Sequence, residues 1–285
     1  MGDDKVTVVS ACTGSESILR AISSVGAQTC KRIIHLLCVD GPAFKREFDS
    51  NVAPHLGEMD SKPQILELPW HTGHSEFYGY RIYAMSMMIV DTPWIAFLDQ
   101  DAYHEPDHIE ELLSLCESNK LQWAFSQRKV VDLTTGESVE DNCESIGPEV
   151  SWVVQRDAAT RGVQPLRPWS NLVDTNCYLI SRELAPLVGG QLVQHRLDLK
   201  MRKASDRLLL DALRRSNAPY MCSGRATVVW PVNDPAEKID ADPESNNTWR
   251  GNRDLPIGFF KEGNAFMSAK YGSKFPWKAR CVLQG

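Results

Sequence analysis

The stretch PWIAFLDQDAYHEPDHIEELL, from Pro93 to Leu113, carries an apolar run straight into Asp99-Gln100-Asp101. Residues i and i+2 of an extended segment point the same way, so Asp99 and Asp101 can present two carboxylates together. Such a pair suits one hard divalent cation, Mg²⁺ or Mn²⁺, which prefers oxygen ligands. Asp also favours turns and caps helices, so the pair also reads as a solvated corner. Two further acids stand where elements meet: Asp40 in Asp40-Gly41-Pro42, and Asp206 at the start of SDRLLLDALRRSN.

Those acids need elements to hold them. KVTVVSAC (Lys5 to Cys12), KRIIHLLCVDGP, PQILELP and PWIAFL read as four buried strands. SESILRAISSVGAQ has apolar residues at helical spacing, with Gly26 placed to end the helix, and SEFYGYRIYAMSMMIV reads as a crossing helix. PDHIEELLSLCESN follows with Pro106 at its first turn. Strand and helix thus alternate through residues 1–120, the pattern of a largely parallel sheet covered on both faces. The ends of parallel strands share one edge, and open α/β sheets bind ligands there. Beyond Lys120 we expect one or two strands around a turn in WAFSQRKVVDL and a long loop region over 134–172. A strand in DTNCYLIS, a helix over Ser205 to Asn217, short late strands in PYMCSGRATVVWPV and a loop over 233–256 follow. No linker divides the chain, so residues 1–285 read as one domain, with 1–120 and 121–285 as its halves.

The 285 residues carry a net charge of −6, which argues against a nucleic-acid binder. No apolar run reaches the roughly 18 residues of a membrane span. Met1-Gly2-Asp3-Asp4 lacks the character of a secretory signal. The eight cysteines form no CxxC pair and several lie in apolar runs, which points to buried thiols in a reducing, cytoplasmic setting and an idle sequon at Asn246-Asn247-Thr248. His71, His74, His104 and His108 read individually as surface histidines, and HEPDH lacks the spacing of a zinc protease.

The order of these pieces resembles the inverting family 2 glycosyltransferases of the GT-A fold. The matching pieces are VTVVSACTGSESILRAISSVGAQTCKRIIHLLCVDGP, Tyr80-Arg81, PWIAFLDQDAYHEPDHIEELL, TNCYLISREL and SDRLLLDAL, over roughly residues 5 to 217. The resemblance implies an α/β, Rossmann-like GT-A sheet that binds a nucleotide-diphosphate sugar, such as a UDP- or GDP-sugar. It further implies sugar transfer to a hydroxyl acceptor in surface glycan or polysaccharide synthesis. It assigns the metal to Asp101, with Asp99 beside it, and donor contacts to Thr13, Glu16, Asp40, Arg81, Asp99 and Gln100. Asp206 takes the place of the general base, which an inverting enzyme needs for the acceptor proton. Arg250 and Arg253 would lie in a loop over the diphosphate, and Trp70, Trp152, Trp169 or Trp249 could line an acceptor groove. The sequence departs from the family pattern at Ser10-Ala11-Cys12-Thr13, at the single acid Asp40, and at Ser205-Asp206, which has no Glu.

Two other classes remain open. A nucleotidyltransferase also uses a doubly wound sheet and a carboxylate-bound metal, but SACTGSES has no basic residue to hold phosphates. The non-enzyme class is a glycan- or nucleotide-binding module with a decayed site, and the presence of Asp99, Asp101 and Asp206 weighs mildly against decay. The absence of QxxRW and of spanning helices argues against a processive polysaccharide synthase.

Overall fold

The computed structural model describes residues 5–73, 77–147, 153–156, 163–166, 172–194, 205–234, 257–272, 275 and 278. His74, Trp152, Trp169, Trp249, Arg250, Arg253, Cys281 and the sequon at Asn246 lie outside the described residues. Strands β1 (Val6–Cys12), β2 (Ile33–Val39), β3 (Gln64–Glu67) and β4 (Trp94–Phe97) are all parallel, in the spatial order β3-β2-β1-β4. The sheet continues into the second half through β10 (Tyr178–Ser181), β6 (Trp123–Asp132) and β11 (Tyr220–Val232), with β5 (Tyr103–His104) at the end. β10 is antiparallel to both β4 and β6, and β6 and β11 are parallel to one another. The short β7 (Ser138–Glu140) pairs with β6, and β8 (Val153–Arg156) pairs with β9 (Val163–Leu166) in a separate ribbon.

Side chains alternate across the sheet and build two apolar layers. Val9, Ile95, Phe97, Trp123, Phe125 and Ile180 face α3 (Tyr80–Ile89), α5 (Ala185–Gly189) and α6 (Ser205–Arg215). Val8, Leu37, Ala96, Ala124 and Leu179 face α1 (Ile18–Gly26), α2 (Pro42–Asn51) and α4 (His108–Asn119). Helices therefore cover both faces, as the alternation predicts. Trp123 is fully buried and stacks on Tyr220 at 4.1 Å. Truncating such a ring to Ala costs about 3–5 kcal/mol.

Three expectations change, and two helices not expected from the sequence are present. The first change is that the region over 134–172, expected as a loop, holds β7, β8 and β9. WAFSQRKVVDL holds no turn: Ser126, Gln127 and Arg128 lie buried inside one 10-residue strand. PYMCSGRATVVWPV is one 13-residue strand, because Ser223-Gly224 forms a bulge with Gly224 at φ +71. Any Cβ there would come within 2.6 Å of the Lys278 carbonyl. The segment between β2 and β3 contains α2, which Pro42 opens at a position where a missing N–H costs nothing. The chain also forms α7 (Ile257–Tyr271), whose Phe259, Phe260 and Met267 pack with Val130, Cys143, Ile146 and Val232. Of the seven described cysteines, all are free thiols and six are buried. Among the described residues no helix is long and apolar enough to cross a membrane.

Candidate active site

Because β1, β2 and β4 are parallel, Thr13, Asp40 and Asp99 all leave the sheet at one edge. β10 runs the other way, so it begins at that same edge. Its approach, Asp174-Thr175-Asn176, therefore arrives among the acids that end the parallel strands.

At the β4 end, Asp99 is held on every side. Its backbone N–H donates to Asn176 Oδ1 at 2.5 Å, and Asn176 Nδ2 donates back to Asp99 Oδ2 at 2.8 Å. The Tyr83 phenol donates to Asp99 Oδ1. Burial pushes the Asp99 carboxyl up to about 7, and the charges of Asp101 and Asp174 add to the shift, while the Tyr83 and Asn176 hydrogen bonds oppose it. Gln100 turns the other way. Its Oε1 accepts from the Thr13 N–H at 2.9 Å, and its Nε2 donates to Thr13 Oγ1 at 2.8 Å. That pair ties the end of β1 to the Asp99–Asp101 turn. Glu16 is exposed just before α1.

Asp40, at the end of β2, is buried and organises the loop after β3. Its oxygens accept from the Thr72 N–H at 2.6 Å and the Gly73 N–H at 3.0 Å, and Oδ2 lies 2.9 Å from His71 Nδ1. Arg81 holds the other side of the same peptide, donating to the Thr72 carbonyl at 2.7 Å while its guanidinium lies over the Phe77 ring at 3.8 Å. Gly41 must be glycine, because at φ +100 a Cβ would meet the His71 backbone at 2.6 Å. Trp70 stands 68% exposed beside this loop.

Asp206 opens α6, where its Oδ1 accepts from the Tyr80 phenol. Burial raises its pKa and Asp174 adds to that, while Tyr80 and Arg207 oppose. Tyr80 and Tyr83 are one turn apart on α3, with ring centroids 6.5 Å apart. The helix thus connects Asp206 to Asp99.

The sequence reading did not single out Asp174, Asn176, Tyr80, Tyr83 or Arg128 by role. Arg128 is buried on β6 and binds Asp141 at 2.9 Å, Glu144 at 2.5 Å and Asp174 at 2.5 Å. Burial works against its charge, but the three carboxylates outweigh that and raise its pKa. Glu144 is raised in turn, chiefly by burial. The available signal was the Asp-x-Asn before a strand, a pattern that caps itself: Asp174 accepts from Asn176 N at 2.9 Å. The expectation of surface histidines fails at two positions. His104 and His108 are buried and stacked at 3.9 Å. His71 is partly exposed beside Asp40.

A divalent ion fits the donor chemistry here. Asp101 and Asp99 offer hard oxygens, and burial, with the charges of Asp101 and Asp174, raises the proton affinity of Asp99, which a nearby cation would offset. Among the described residues no group of three His, Cys, Asp or Glu is arranged to hold a metal. A magnesium-type ion commonly takes one or two carboxylates and completes its shell with substrate phosphates. Asp101 would be the direct ligand, with Asp99 beside it.

A mostly parallel sheet that gathers acids at its carboxyl edge, with a reversed strand inserted beside them, defines the GT-A class of glycosyltransferases. The sequence profile of Glycosyl transferase family 2 matches residues 7–183, and the chain belongs to that family. No curated protein matches the chain. Among solved structures, the chain is similar to S. aureus TarS 1-349 in complex with UDP, at 14% identity and TM-score 0.52, covering 80% of this chain and 60% of that one. It is similar to the same TarS fragment in complex with UDP-GlcNAc at 12% identity and TM-score 0.52, covering 81% and 59%. The chain therefore spans about 60% of the TarS fragment it resembles, and the likeness is one of fold.

Proposed function

We propose that this chain is a metal-dependent, inverting glycosyltransferase that moves a sugar from a nucleotide-diphosphate donor to a hydroxyl acceptor. The observation that supports the reading is the pair of tyrosine–carboxylate contacts on α3, which tie Asp206 and Asp99 to adjacent turns of one helix. The donor diphosphate lies at Asp99 and Asp101, with its nucleoside toward Asp40, Thr13, Gln100 and the 71–73 loop. Arg81 and Glu16 border that site. Residues 121–285 supply the acceptor half. The UDP and UDP-GlcNAc complexes of the TarS neighbours make a UDP-sugar the first donor to test. The free, mostly buried thiols favour a reducing, cytoplasmic setting, and surface glycan synthesis is the process proposed.

The acceptor oxygen attacks the sugar C1 from the face opposite the diphosphate. Its proton passes to Asp206, the C1–O bond to the diphosphate breaks, and the electron pair leaves with the diphosphate. One displacement inverts the anomeric configuration. A raised carboxylate is a stronger base than an ordinary one and suits proton removal near neutral pH. A bound Mn²⁺ or Mg²⁺ would offset the charge growing on the leaving diphosphate.

The test is a panel of UDP- and GDP-sugars, scored by hydrolysis and by thermal stabilisation with and without Mn²⁺. Stabilisation by a nucleotide sugar that needs the metal is expected. A panel that neither stabilises nor is hydrolysed would overturn the reading.

A further inference from the structure

We infer that Tyr80 is the positioning residue for Asp206, holding the carboxylate so that its second oxygen meets the acceptor proton; the inference rests on the glycosyl-transfer reading above. Three observations support it. The Tyr80 phenol donates to Asp206 Oδ1 across 126 residues of sequence, so it is a tertiary contact and not a helix cap. Tyr80 sits in the first turn of α3, which is fixed from below. Tyr80 N–H donates to the Phe77 carbonyl at 2.9 Å, Tyr78 N–H to the Gly73 carbonyl at 3.2 Å, and Arg81 to Thr72. Its ring meets Tyr83 edge-on, and Tyr83 in turn packs on Phe97 of β4 at 5.0 Å. A phenol held at both its backbone and its ring can fix a carboxylate on another helix.

The arrangement also decides which oxygen does what. Tyr80 engages Oδ1, so the proton is received at Oδ2, beside the bond that the residue's own backbone N–H donates to the carboxylate. A hydrogen bond donated to a carboxylate favours its charged form, so Tyr80 partly offsets the burial and the Asp174 charge that raise the Asp206 pKa. Arg207 on its own helix, its own backbone N–H and Tyr178 on β10 also bear on Asp206.

The test is Tyr80→Phe, which keeps the ring and its packing on Tyr83, measured beside Asp206→Asn and the double variant. Tyr80→Phe should bind donor as the wild type does in calorimetry. Its plateau kcat should fall roughly ten- to a hundredfold, the scale of a reacting group misplaced by about an ångström. The acid limb of its kcat–pH profile should move to higher pH, because the carboxylate has lost a donor. The double variant should be no slower than Asp206→Asn alone, since Tyr80 acts only through Asp206. If Asp206→Asn is fully active, the base reading itself fails. If Asp206→Asn is inactive while Tyr80→Phe keeps the wild-type plateau and limb, the positioning role alone is overturned. A fall in kcat with an unmoved acid limb, or losses that multiply in the double variant, also overturns it and leaves Tyr80 as packing.

Discussion

Two regions of strongly perturbed titration meet at Asn176. On one side its amide grips Asp99, whose carboxyl is pushed up to about 7 by burial and by Asp101 and Asp174. On the other side its carbonyl lies 3.2 Å from His104 Nε2, and burial drives His104 down to about 4. His108, stacked on His104, is also lowered, by burial and by that neighbour. Both regions shift for one dominant reason, the removal of water from an ionisable group. They differ in what surrounds the shift. The carboxylates stand half-buried at the sheet edge, with phenols and further acids facing them, so a proton or a cation arriving there is favoured. His104 on β5 lies against α1 and His108 opens α4, 2% and 0% exposed. A perturbed pKa therefore marks burial, and only its placement at a cleft makes it a candidate for chemistry.

The sharpest test of the carboxylate side is Asp206→Asn. The amide keeps the shape and cannot take a proton. It should bind donor normally and lose about two to four orders of magnitude in kcat, the range that loss of a general base costs. NMR of the product should show inverted configuration, and a retained anomer would break the single-displacement reading. Next in size is Asp101→Ala. Nucleotide diphosphate should bind the wild type more tightly with Mn²⁺, and the variant should lose that gain. The loss should be at least the roughly ten- to hundredfold in metal affinity that even an outer-shell partner can cost. Equal binding with and without metal, measured by calorimetry on the wild type, would remove the ion from the mechanism.

Asp40 sharpens the comparison from a third position. Its carboxylate is buried like the histidines but sits at the sheet edge like Asp99, and it accepts from the N–H groups of Thr72 and Gly73 and meets the His71 ring. Asp40→Ala should raise the donor KM more than it lowers kcat, because contacts that shape the nucleoside pocket act alike in ground and transition states. Stranding the two loop N–H groups should also cost about 1–3 kcal/mol of stability each if water does not replace the carboxylate. A variant with unchanged donor KM would place Asp40 with the histidines, as structure only.

The sequence made these differences partly legible. Asp99, Asp101 and Asp40 were readable because a parallel strand delivers its next residue to a known edge. Asp206 was readable because a helix start exposes its first acids. Asp174 and Asn176 were not, because they reach the site only through the antiparallel direction of β10, and nothing local to DTNCYLIS encodes direction. Arg128 looked like part of a turn because its acids are 13, 16 and 46 residues away, beyond any local pattern. Tyr80 and Tyr83 read as part of an apolar crossing helix, and their phenols have meaning only once α3 lies beside β4 and α6. The histidines looked exposed because HEPDH is polar. Burying them took the stacking of His104 on His108 and a hydrogen bond between His108 Nδ1 and Thr227 Oγ1 at 2.7 Å.

The smallest expected effect tests the histidine side directly. Unfolded, His104 and His108 titrate near the ordinary 6.5; folded, His104 is lowered to about 4 and His108 is also held well below its ordinary value by burial. Between those values the unfolded chain binds protons that the native state refuses. By linkage, acidification through this window favours unfolding, so stability present above about 6.5 is lost as the pH falls toward 4. His35, lowered to about 3 by burial and by His104, adds to the same slope. His108→Phe keeps an aromatic ring against His104 and removes one titrating group. It costs the bond to Thr227, so the variant should be less stable than the wild type at pH 7. Its denaturation midpoint should nevertheless fall less than the wild type's between pH 7 and pH 5. Its kcat at pH 7 should stay within about twofold of wild type, because no step of the proposed transfer passes through that ring. An acid dependence identical to wild type would show that His108 does not resist protonation in the fold. A kcat lost with donor binding intact would instead move the histidine stack from scaffold into the active site, and the distinction drawn at Asn176 would fall.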